Sequence, residues 1–235
     1  MIACPVCHAQ NSNLATVCAG CGSFLQQRIE NLDLFASAWS VLERPARGFK
    51  TIALARHKNY ILVLSAVAGV ALVFGFFWLA KMGEYAQNLI NILAAGLALA
   101  APAGILSVLF ISLAIVLASR ALRLRVRFRD AYAVVAYASV PLILTSLLFL
   151  PIEVLSFGSY FFARTPSPYS IRPLSYVVLL ALDGAFAAWS IILLLVGVRV
   201  LAGAGWMKSG AAVLAALLLA ALAVAGLMQF TLPRV

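Results

Sequence analysis

Charged residues are scarce in this sequence. They make up 10% of the 235 residues, whereas hydrophobic residues make up 65%, compared with roughly 45–50% in ordinary soluble domains. This excess is too large for the core of a soluble domain, so the composition excludes a water-soluble globular protein. Acidic residues are the scarcest of all, because 7 aspartates and glutamates face 17 lysines and arginines.

Histidine and cysteine are also rare and are confined to the amino-terminal part. The histidines are His8 and His57, and all four cysteines precede residue 22. The apolar remainder therefore offers no histidine to act as a general base, and the sequence has no metal-binding histidine pair and no glycine-rich loop that could hold a phosphate. This inventory predicts a protein that is not an enzyme.

Long apolar runs are abundant instead. A helix needs about 20 apolar residues to cross a bilayer, and the candidate runs are residues 60–80, 103–119, 131–150, 174–201 and 210–230. They predict an all-α membrane protein, a five-span helical bundle within residues 60–235. The first run begins too late for a secretory signal peptide, so we expect the segment before it to be retained on the cytosolic side.

The region before the second run allows two interpretations. Apolar residues extend from Asn88 to Ala118, which is too long for one straight span, and Pro102 interrupts helical hydrogen bonding within it. Counting two spans here would move a nearby arginine-rich loop outside, against the positive-inside tendency. We therefore predict an interfacial or re-entrant helix over residues 84–101, with the second span beginning at residue 103.

Basic residues are distributed unevenly around the predicted spans. With a cytosolic amino terminus, thirteen of the 17 lysines and arginines fall inside, and those outside are Lys81, Arg164, Arg172 and Arg234. This excess places the amino terminus in the cytosol and the carboxyl terminus on the opposite side of the cell membrane. The cations can contact anionic lipid headgroups, so we expect the positive charge to serve the membrane and not nucleic acid.

The densest basic cluster precedes the third span, in RALRLRVRFRD. Alternating arginines suggest a strand, but a lone strand at a membrane surface has no pairing partner, and on a helix the arginines would surround the cylinder. We predict an extended or broken connector that anchors the topology, followed by a helix capped by Asp130. The anchoring residues are Arg120, Arg123, Arg125, Arg127 and Arg129.

The four cysteines lie in CPVCHAQNSNLATVCAGC, as two C-x2-C pairs. Each pair supplies two thiolates, and together they complete a tetrahedral site for structural Zn²⁺. The predicted ligands are Cys4, Cys7, Cys18 and Cys21. Residues 1–25 have almost no apolar core, so the metal would have to hold them together. The segment from Cys4 to Leu25 resembles short zinc ribbons of the CPxC…CxxCG type.

Other interpretations of the cysteines remain open. Cys4 to His8 also fits the c-type haem attachment pattern, although this would require an exported amino terminus and leave Cys18 and Cys21 without a role. Two disulfides are a further alternative, disfavoured by the reducing cytosol. Iron could replace zinc, because S4 sites accept both metals.

Residues 26–59 predict a membrane-surface element between the cysteines and the first span. Apolar residues recur every three or four positions from Leu25 to Leu42, which is typical of an amphipathic helix, and Pro45 ends it. A basic segment continues to Lys58. The element either packs on the protein's own cytosolic face or lies among lipid headgroups.

Three stretches resemble one family of multi-pass membrane proteins. They are WSVLERPARGFKTI before the first span, FRDAYAVVAYASVP entering the third, and AAWSIILLLVGVRVL in the fourth. From Trp39 onward the chain resembles the Yip-domain family of Ypt/Rab-interacting type, in its prokaryotic branch, where relatives carry a zinc ribbon. The Asp-Leu-Tyr-Gly-Pro motif of the eukaryotic branch is absent. The resemblance implies a role in membrane organisation or as a partner of membrane machinery, such as ABC-type transport systems.

Asp183 lies inside the fourth predicted span. A carboxyl group there costs a few kcal/mol on insertion scales and is by default a functional candidate. Because no basic residue is predicted deep in the membrane, we favour a hydrogen bond that holds helices together over a proton pathway. We expect Glu153, which follows Pro151, to be a solvated or interfacial carboxylate in the outer loop.

These features predict a non-enzymatic membrane scaffold or adaptor that displays a zinc ribbon to the cytosol. Small residues at every fourth position of the last run, Ala212, Ala216 and Ala220, allow another helix to approach closely. They indicate a membrane-protein partner or a homo-oligomer. The alternative function is a transport component, or an accessory subunit of a transporter, with Asp183 in a polar pathway.

Replacing the five anchoring arginines by glutamate tests the topology prediction. The reversed charge is expected to disturb insertion, because the positive-inside tendency would no longer hold this loop in the cytosol. Topology is measured with reporters fused to each loop, and an all-lysine variant, which keeps the charge, serves as the control. Normal topology in the all-glutamate variant would count against the anchor.

Overall fold

The computed structural model describes residues 2–86 and 88–231, so Arg234 of the topology prediction lies outside the described residues. Within this range, strand β1 (Ile2–Ala3) pairs antiparallel with β2 (Gln10–Asn11). The helices are α1 (Leu34–Glu43), α2 (Pro45–Leu54), α3 (Ile61–Leu79), α4 (Leu89–Ala121), α5 (Phe128–Ala138), α6 (Val140–Phe157), α7 (Pro168–Ile171), α8 (Pro173–Ala202) and α9 (Trp206–Thr231). Short 3₁₀ turns cover Met82–Glu84 and Gly158–Phe162.

Five helical segments among the described residues are long and apolar enough to cross a membrane. They are α3, α4, the segment Phe128–Phe162 containing α5 and α6, α8, and Trp206–Gln229 within α9. Their helical form has a simple cause, since backbone groups in hydrocarbon find no water and must bond within their own segment. The prediction of an all-α membrane protein with five spans is confirmed.

The re-entrant helix predicted over residues 84–101 is wrong. Helix α4 runs without interruption from Leu89 to Ala121, with Pro102 inside it. Proline removes one helical hydrogen bond, whereas ending the helix in hydrocarbon would leave several backbone groups unsatisfied. Continuing the helix through Pro102 therefore costs less than ending it, and the second span begins well before residue 103.

The third span is interrupted where the sequence suggested a continuous helix. Helix α5 ends at Ala138, and α6 begins at Val140 with Pro141 in its first turn. Pro141 has no N–H to donate to the carbonyl four residues earlier, so the hydrogen-bond ladder breaks at this point. Helix α5 also begins at Phe128, which places Asp130 in the first turn and not at the predicted capping position.

The amphipathic helix is shorter than its apolar pattern indicated. Helix α1 begins only at Leu34, because the Asp33 carboxylate accepts a hydrogen bond from the Ala36 N–H at 2.7 Å and caps it. Pro45 ends α1 as predicted, but it is also the first residue of α2, where proline needs no hydrogen-bond partner. The surface element is therefore a pair of short helices preceded by non-helical chain.

The described chain divides into two compact units. The first unit combines the chain up to Ile61 with Ile111–Ala138 and Ile192–Leu218. Its core contains Val41, Phe49 and Ile52, which are fully buried. Gly48 lets α2 approach the backbone of α1, because a Cβ at this position would lie 2.8 Å from the Val41 nitrogen.

The second unit consists of Leu62–Phe110, Ser139–Ile191 and the chain from Leu219. Its core is an aromatic cluster in which Phe74, Phe157, Phe161 and Phe162 are buried together. Phe161 and Phe162 meet edge to face, with ring centroids 5.0 Å apart. Edge-to-face contact is favourable for aromatic rings beyond the area they bury.

Helices α3 and α4 make a close backbone contact within the second unit. A Cβ at Gly69 would overlap the Ala100 carbonyl oxygen, and a Cβ at Gly104 would overlap the Ser65 carbonyl oxygen. Ala100 and Gly104 lie on either side of Pro102. Glycine at these positions thus lets α3 pack against the stretch of α4 whose hydrogen bonding is weakened by proline.

Gly69→Ala is expected to lower the free energy of unfolding by about 2–3 kcal/mol, because the added methyl group has to separate two packed backbones. Gly75→Ala is the matched control on the same helix, since a Cβ at Gly75 meets nothing within 4 Å. The control should keep or slightly raise stability. Unfolding in mixed micelles measures both, and equal stabilities would contradict the close contact.

Candidate metal centre and acidic cavity

The cysteine segment, residues 2–25, contains two tight turns of the same construction. In the first, the His8 N–H donates to the Cys4 carbonyl at 3.0 Å, and in the second the Gly22 N–H donates to the Cys18 carbonyl at 3.1 Å. His8 and Gly22 both have left-handed backbones, with φ of 56° and 74°. His8 therefore occupies the position that glycine fills in the second turn.

The two turns bring all four thiols together. The Sγ atoms of Cys4, Cys7, Cys18 and Cys21 lie within 4.8 Å of one another. The Cys4 and Cys21 Sγ atoms are 3.6 Å apart, close to the sulfur–sulfur separation of about 3.8 Å that tetrahedral zinc with 2.3 Å bonds requires. Disulfides would need about 2.05 Å, and all four cysteines are free. The cluster therefore fits a closed S4 metal site.

Hydrogen bonds prepare part of this cluster for metal binding. The Ser23 hydroxyl, 3.0 Å from the Cys4 Sγ, and backbone N–H groups lower the pKa of Cys4 to about 5. Backbone hydrogen bonds also lower the pKa of Cys18. Cys7 behaves differently, because the Ala9 N–H lowers its pKa but its thiol neighbours raise it to about 12. Adjacent thiolates repel one another, and a dication at their centre would relieve that repulsion.

The closed geometry also bears on the alternatives to zinc. Four protein ligands leave no open coordination position, which is typical of structural and not catalytic metal sites. The exposed His8 side chain is not part of the group of possible ligands, so the geometry gives no support to haem ligation. Zinc and iron both suit four thiolates, and zinc binding stays a prediction.

The chain that follows the cysteine segment is joined to the end of α2 by backbone hydrogen bonds. The Arg56 N–H donates to the Ile29 carbonyl at 2.7 Å, and the His57 N–H donates to the Glu30 carbonyl at 3.0 Å. The cysteine segment is connected to this junction through residues 26–28.

A buried ion pair fixes the same junction to α5. The Lys58 ammonium lies 2.9 Å from the Asp130 carboxylate, and the Lys58 side chain is 3% exposed. The ammonium also donates to the Ile52 carbonyl at 2.7 Å at the end of α2. Burial lowers the pKa of Lys58, while the hydrogen bond and charge of Asp130 oppose this effect. Asp130 thus binds a lysine from a distant part of the sequence instead of capping its own helix.

Residues 122–127 form a non-helical connector between α4 and α5, as the sequence predicted, whereas Arg120 lies in the last turn of α4 and Arg129 in the first turn of α5. All five anchoring arginines are exposed, whereas Val126 between them is buried. Arg129 also donates to the Arg56 carbonyl at 3.1 Å. The side chains are free to meet lipid headgroups, and their role as a topological anchor stays a prediction.

Asp183 has a partner that the sequence analysis missed. Glu153 is 4% exposed within α6, and its carboxyl group lies close to that of Asp183 on α8. The prediction of a solvated loop carboxylate is therefore wrong, because α6 continues through Pro151 to Phe157. The sequence signal that could have indicated the burial of Glu153 was its spacing from Ser146. The two residues are seven positions apart and therefore share one face of a helix.

A cavity of about 420 Å³ adjoins the acidic pair within the second unit. Besides Glu153 and Asp183, its polar lining comes from Thr145, Ser146 and Trp78, and the remainder is apolar. The hydroxyls of Thr145 and Ser146 donate to carbonyls one turn earlier, each at 2.9 Å. The Trp78 Nε1 is buried without a hydrogen-bond partner.

The described helices define a multi-pass α-helical membrane protein that contacts the lipid bilayer. The family model of the Yip1 domain matches residues 39–228. The chain therefore belongs to the Yip1 domain family, which confirms the resemblance seen from Trp39 onward. Comparison with curated proteins gave no match, and neither did comparison with solved structures.

Exchanging the left-handed residues tests the S4 site. Gly22→Ala should weaken metal binding by about tenfold, because a Cβ in this conformation costs roughly 1–2 kcal/mol. Gly20→Ala, where a Cβ meets only ordinary contacts, is the control. His8→Gly removes the strain of a left-handed histidine and should preserve or strengthen metal binding by the four cysteines. If His8 were a haem ligand instead, the same change would abolish haem ligation. Chelator competition on the intact protein in detergent measures all three, and metal loss in His8→Gly would contradict the S4 assignment.

Proposed function

We propose that the chain is a non-enzymatic adaptor of the cell membrane that displays a zinc-stabilised ribbon to the cytosol. The convergence of four cysteine Sγ atoms within 4.8 Å carries the proposal. Structural zinc in small sites contributes roughly 10–16 kcal/mol, which would compensate for the segment's small core. The closed ligand set and the membership of the Yip1 domain family support binding over catalysis.

The surface of the cysteine segment suits a docking role. Val6 is 68% exposed and Phe24 is 67% exposed, although large apolar side chains in a metal-stabilised fold would normally be buried where a core is available. Apolar groups displayed on a rigid surface are typical of protein interfaces. The proposed partner is a membrane-associated protein of the cytosolic face, with anionic headgroups around the exposed arginines.

The attachment of the segment supports an adaptor more than a freely tethered domain. The backbone bonds at Ile29 and Glu30 join the chain just after the segment to the end of α2, and the Lys58–Asp130 ion pair joins the same junction to α5. A partner bound to the ribbon would therefore be held within a few residues of this junction. Fixed geometry raises the effective concentration of two joined partners more than a long flexible linker does.

Metal analysis of the full chain tests this function. Protein purified in mild detergent should contain about one zinc ion per chain, and a variant with all four cysteines replaced by serine should contain none while still inserting into the membrane. Ser12→Ala, a change in the exposed loop between the cysteine pairs, is the control and should retain zinc. A zinc-free wild-type protein would contradict the metal site.

Cross-linking in cells then tests the docking role. A photo-cross-linking amino acid is placed at position 6 or position 24 of the otherwise unchanged chain. The proteins that it captures should no longer be captured when the four cysteines are replaced, and should still be captured when Ser12→Ala is present. The reason is that the apolar surface depends on the metal for its shape. The same cross-linked proteins in both forms would remove the adaptor role even if zinc is present.

A second candidate function, a transport component or an accessory subunit of a transporter, is favoured by one observation. The half-buried Asp183 lines a cavity together with a buried carboxyl group, Glu153. Ionisable groups at membrane depth are costly and are characteristic of ion and substrate pathways. This function does not require the ribbon to bind a partner.

A further inference from the structure

We propose that the cavity of the second unit binds an organic ammonium ion with an apolar body, and that each bound ion displaces one proton from the Glu153–Asp183 pair. The inference deepens the transport function given above as the second candidate, and it rests on that function for its physiological meaning. The binding site itself is argued from the cavity, the two carboxyl groups and one unpaired indole nitrogen.

The size and lining of the cavity indicate an organic ligand. Its volume of about 420 Å³ lies within the range of roughly 300–1,000 Å³ that small-molecule sites occupy. The aromatic rings of Phe74, Phe76 and Phe161 contribute to the lining. Aromatic faces attract organic cations, and the mainly apolar lining suits the body of an organic ion.

The charge of the site indicates a cation. Glu153 on α6 and Asp183 on α8 are the titratable side chains in the described lining, to which α3 and α9 contribute none. Lys81 is not a lining residue; its Nζ lies over the ring of Trp78, 4.5 Å from the ring centroid. Two carboxyl groups without a basic residue in the same cavity can neutralise a positively charged ligand.

Trp78 provides an independent indication of a ligand. Trp78 is one of the residues that line the cavity, and its Nε1 is buried and has no hydrogen-bond partner among the described residues. A buried N–H group without an acceptor is costly, and such groups in native proteins usually have an unseen partner. A ligand that carries an acceptor, such as an ester or hydroxyl oxygen, would satisfy it. The site thus fits an ammonium ion that also bears one hydrogen-bond acceptor.

Exchange against a proton follows from the surroundings of the pair. Two ionised carboxyl groups in one cavity repel each other, and a net charge in apolar surroundings is strongly disfavoured, so the empty site holds its protons. When the cation enters, the O–H bond of one carboxyl group breaks, the proton leaves to solvent, and the new carboxylate pairs with the ammonium group. The charge of the site is then the same with either occupant, and no group is oxidised or reduced.

Benzoylcholine is a suitable probe because it combines a quaternary ammonium group, an aromatic ring and an ester oxygen. The uncharged isostere 3,3-dimethylbutyl benzoate has the same shape and is the matched ligand control. Calorimetry on the full chain in detergent, in two buffers of different ionisation enthalpy, measures affinity and proton release. We expect about one proton released per bound benzoylcholine and an affinity that rises with pH, because the cation and the proton compete for the same carboxyl group. The isostere should release none.

Isosteric variants assign the effect to the pair. Glu153→Gln and Asp183→Asn should each weaken benzoylcholine binding at least tenfold, and the double variant should also abolish proton release. Glu43→Gln removes an exposed carboxylate on α1, outside the lining, and should change neither. Unchanged binding in the two amide variants, or equal binding of the isostere, overturns the proposal. If the amide variants unfold, pH-independent wild-type binding without proton release overturns it equally.

Uptake of labelled benzoylcholine into protein-containing vesicles with an imposed pH gradient separates the site from the transport function. Binding with proton release but without uptake would overturn transport and leave the site in place. Absence of binding to the folded wild type would overturn the site, while zinc-dependent cross-linking would still decide the adaptor function independently.

Discussion

The absence of water in hydrocarbon is the constraint on which most of this structure depends. Each backbone N–H and C=O group in a span has to be bonded within its own helix. Helix α4 consequently continues through Pro102, which removes only one bond. The third span is interrupted at Ser139, where Pro141 prevents the ladder from closing. Irregular chain is found where water or protein can satisfy it, as in the connector before Phe128 and in the cysteine segment.

The same constraint acts on charged side chains, with different solutions. The arginines of the connector stay exposed, so their charge is met by solvent or headgroups. Lys58 is buried but is neutralised by Asp130 and by helix-terminal carbonyls. Glu153 and Asp183 have no buried cation beside them in the described cavity and meet each other instead. Lys58 and Asp130 thus neutralise each other, whereas the acidic pair has no counter-charge in the described lining of its cavity.

Two parts of the molecule therefore have chemistry beyond membrane insertion. The cysteine segment gathers four soft ligands in a closed set, which suits a metal that maintains shape. The acidic cavity offers polar groups in apolar surroundings, which suits a ligand that is bound and released. Family membership is compatible with both, since a fold does not determine a function and the chemistry of each site has to be argued separately.

The features that could be predicted from sequence depend on local chemistry. Residue spacing was enough for the two cysteine pairs, because a C-x2-C turn forms within five residues, and it was enough for the spans, because helix length follows from the width of the bilayer. The loop of arginines was recognisable because its alternation suits neither a helix nor a lone strand. Asp33 shows where an apolar pattern fails as a predictor. The apolar repeat begins at Leu25, before Asp33, but the hydrogen bond that caps α1 makes the helix begin only at Leu34.

The amino-acid sequence by itself thus determined the number of spans, the family and which four thiols come together, all of which rest on runs or spacings within short segments. Only the tertiary structure decided that Asp130 pairs with Lys58, that Glu153 lies beside Asp183, and that Gly69 admits the backbone of α4. These contacts join residues at least 30 positions apart in the sequence. Their formation depends on which helix faces meet, and packing of the whole chain sets that choice.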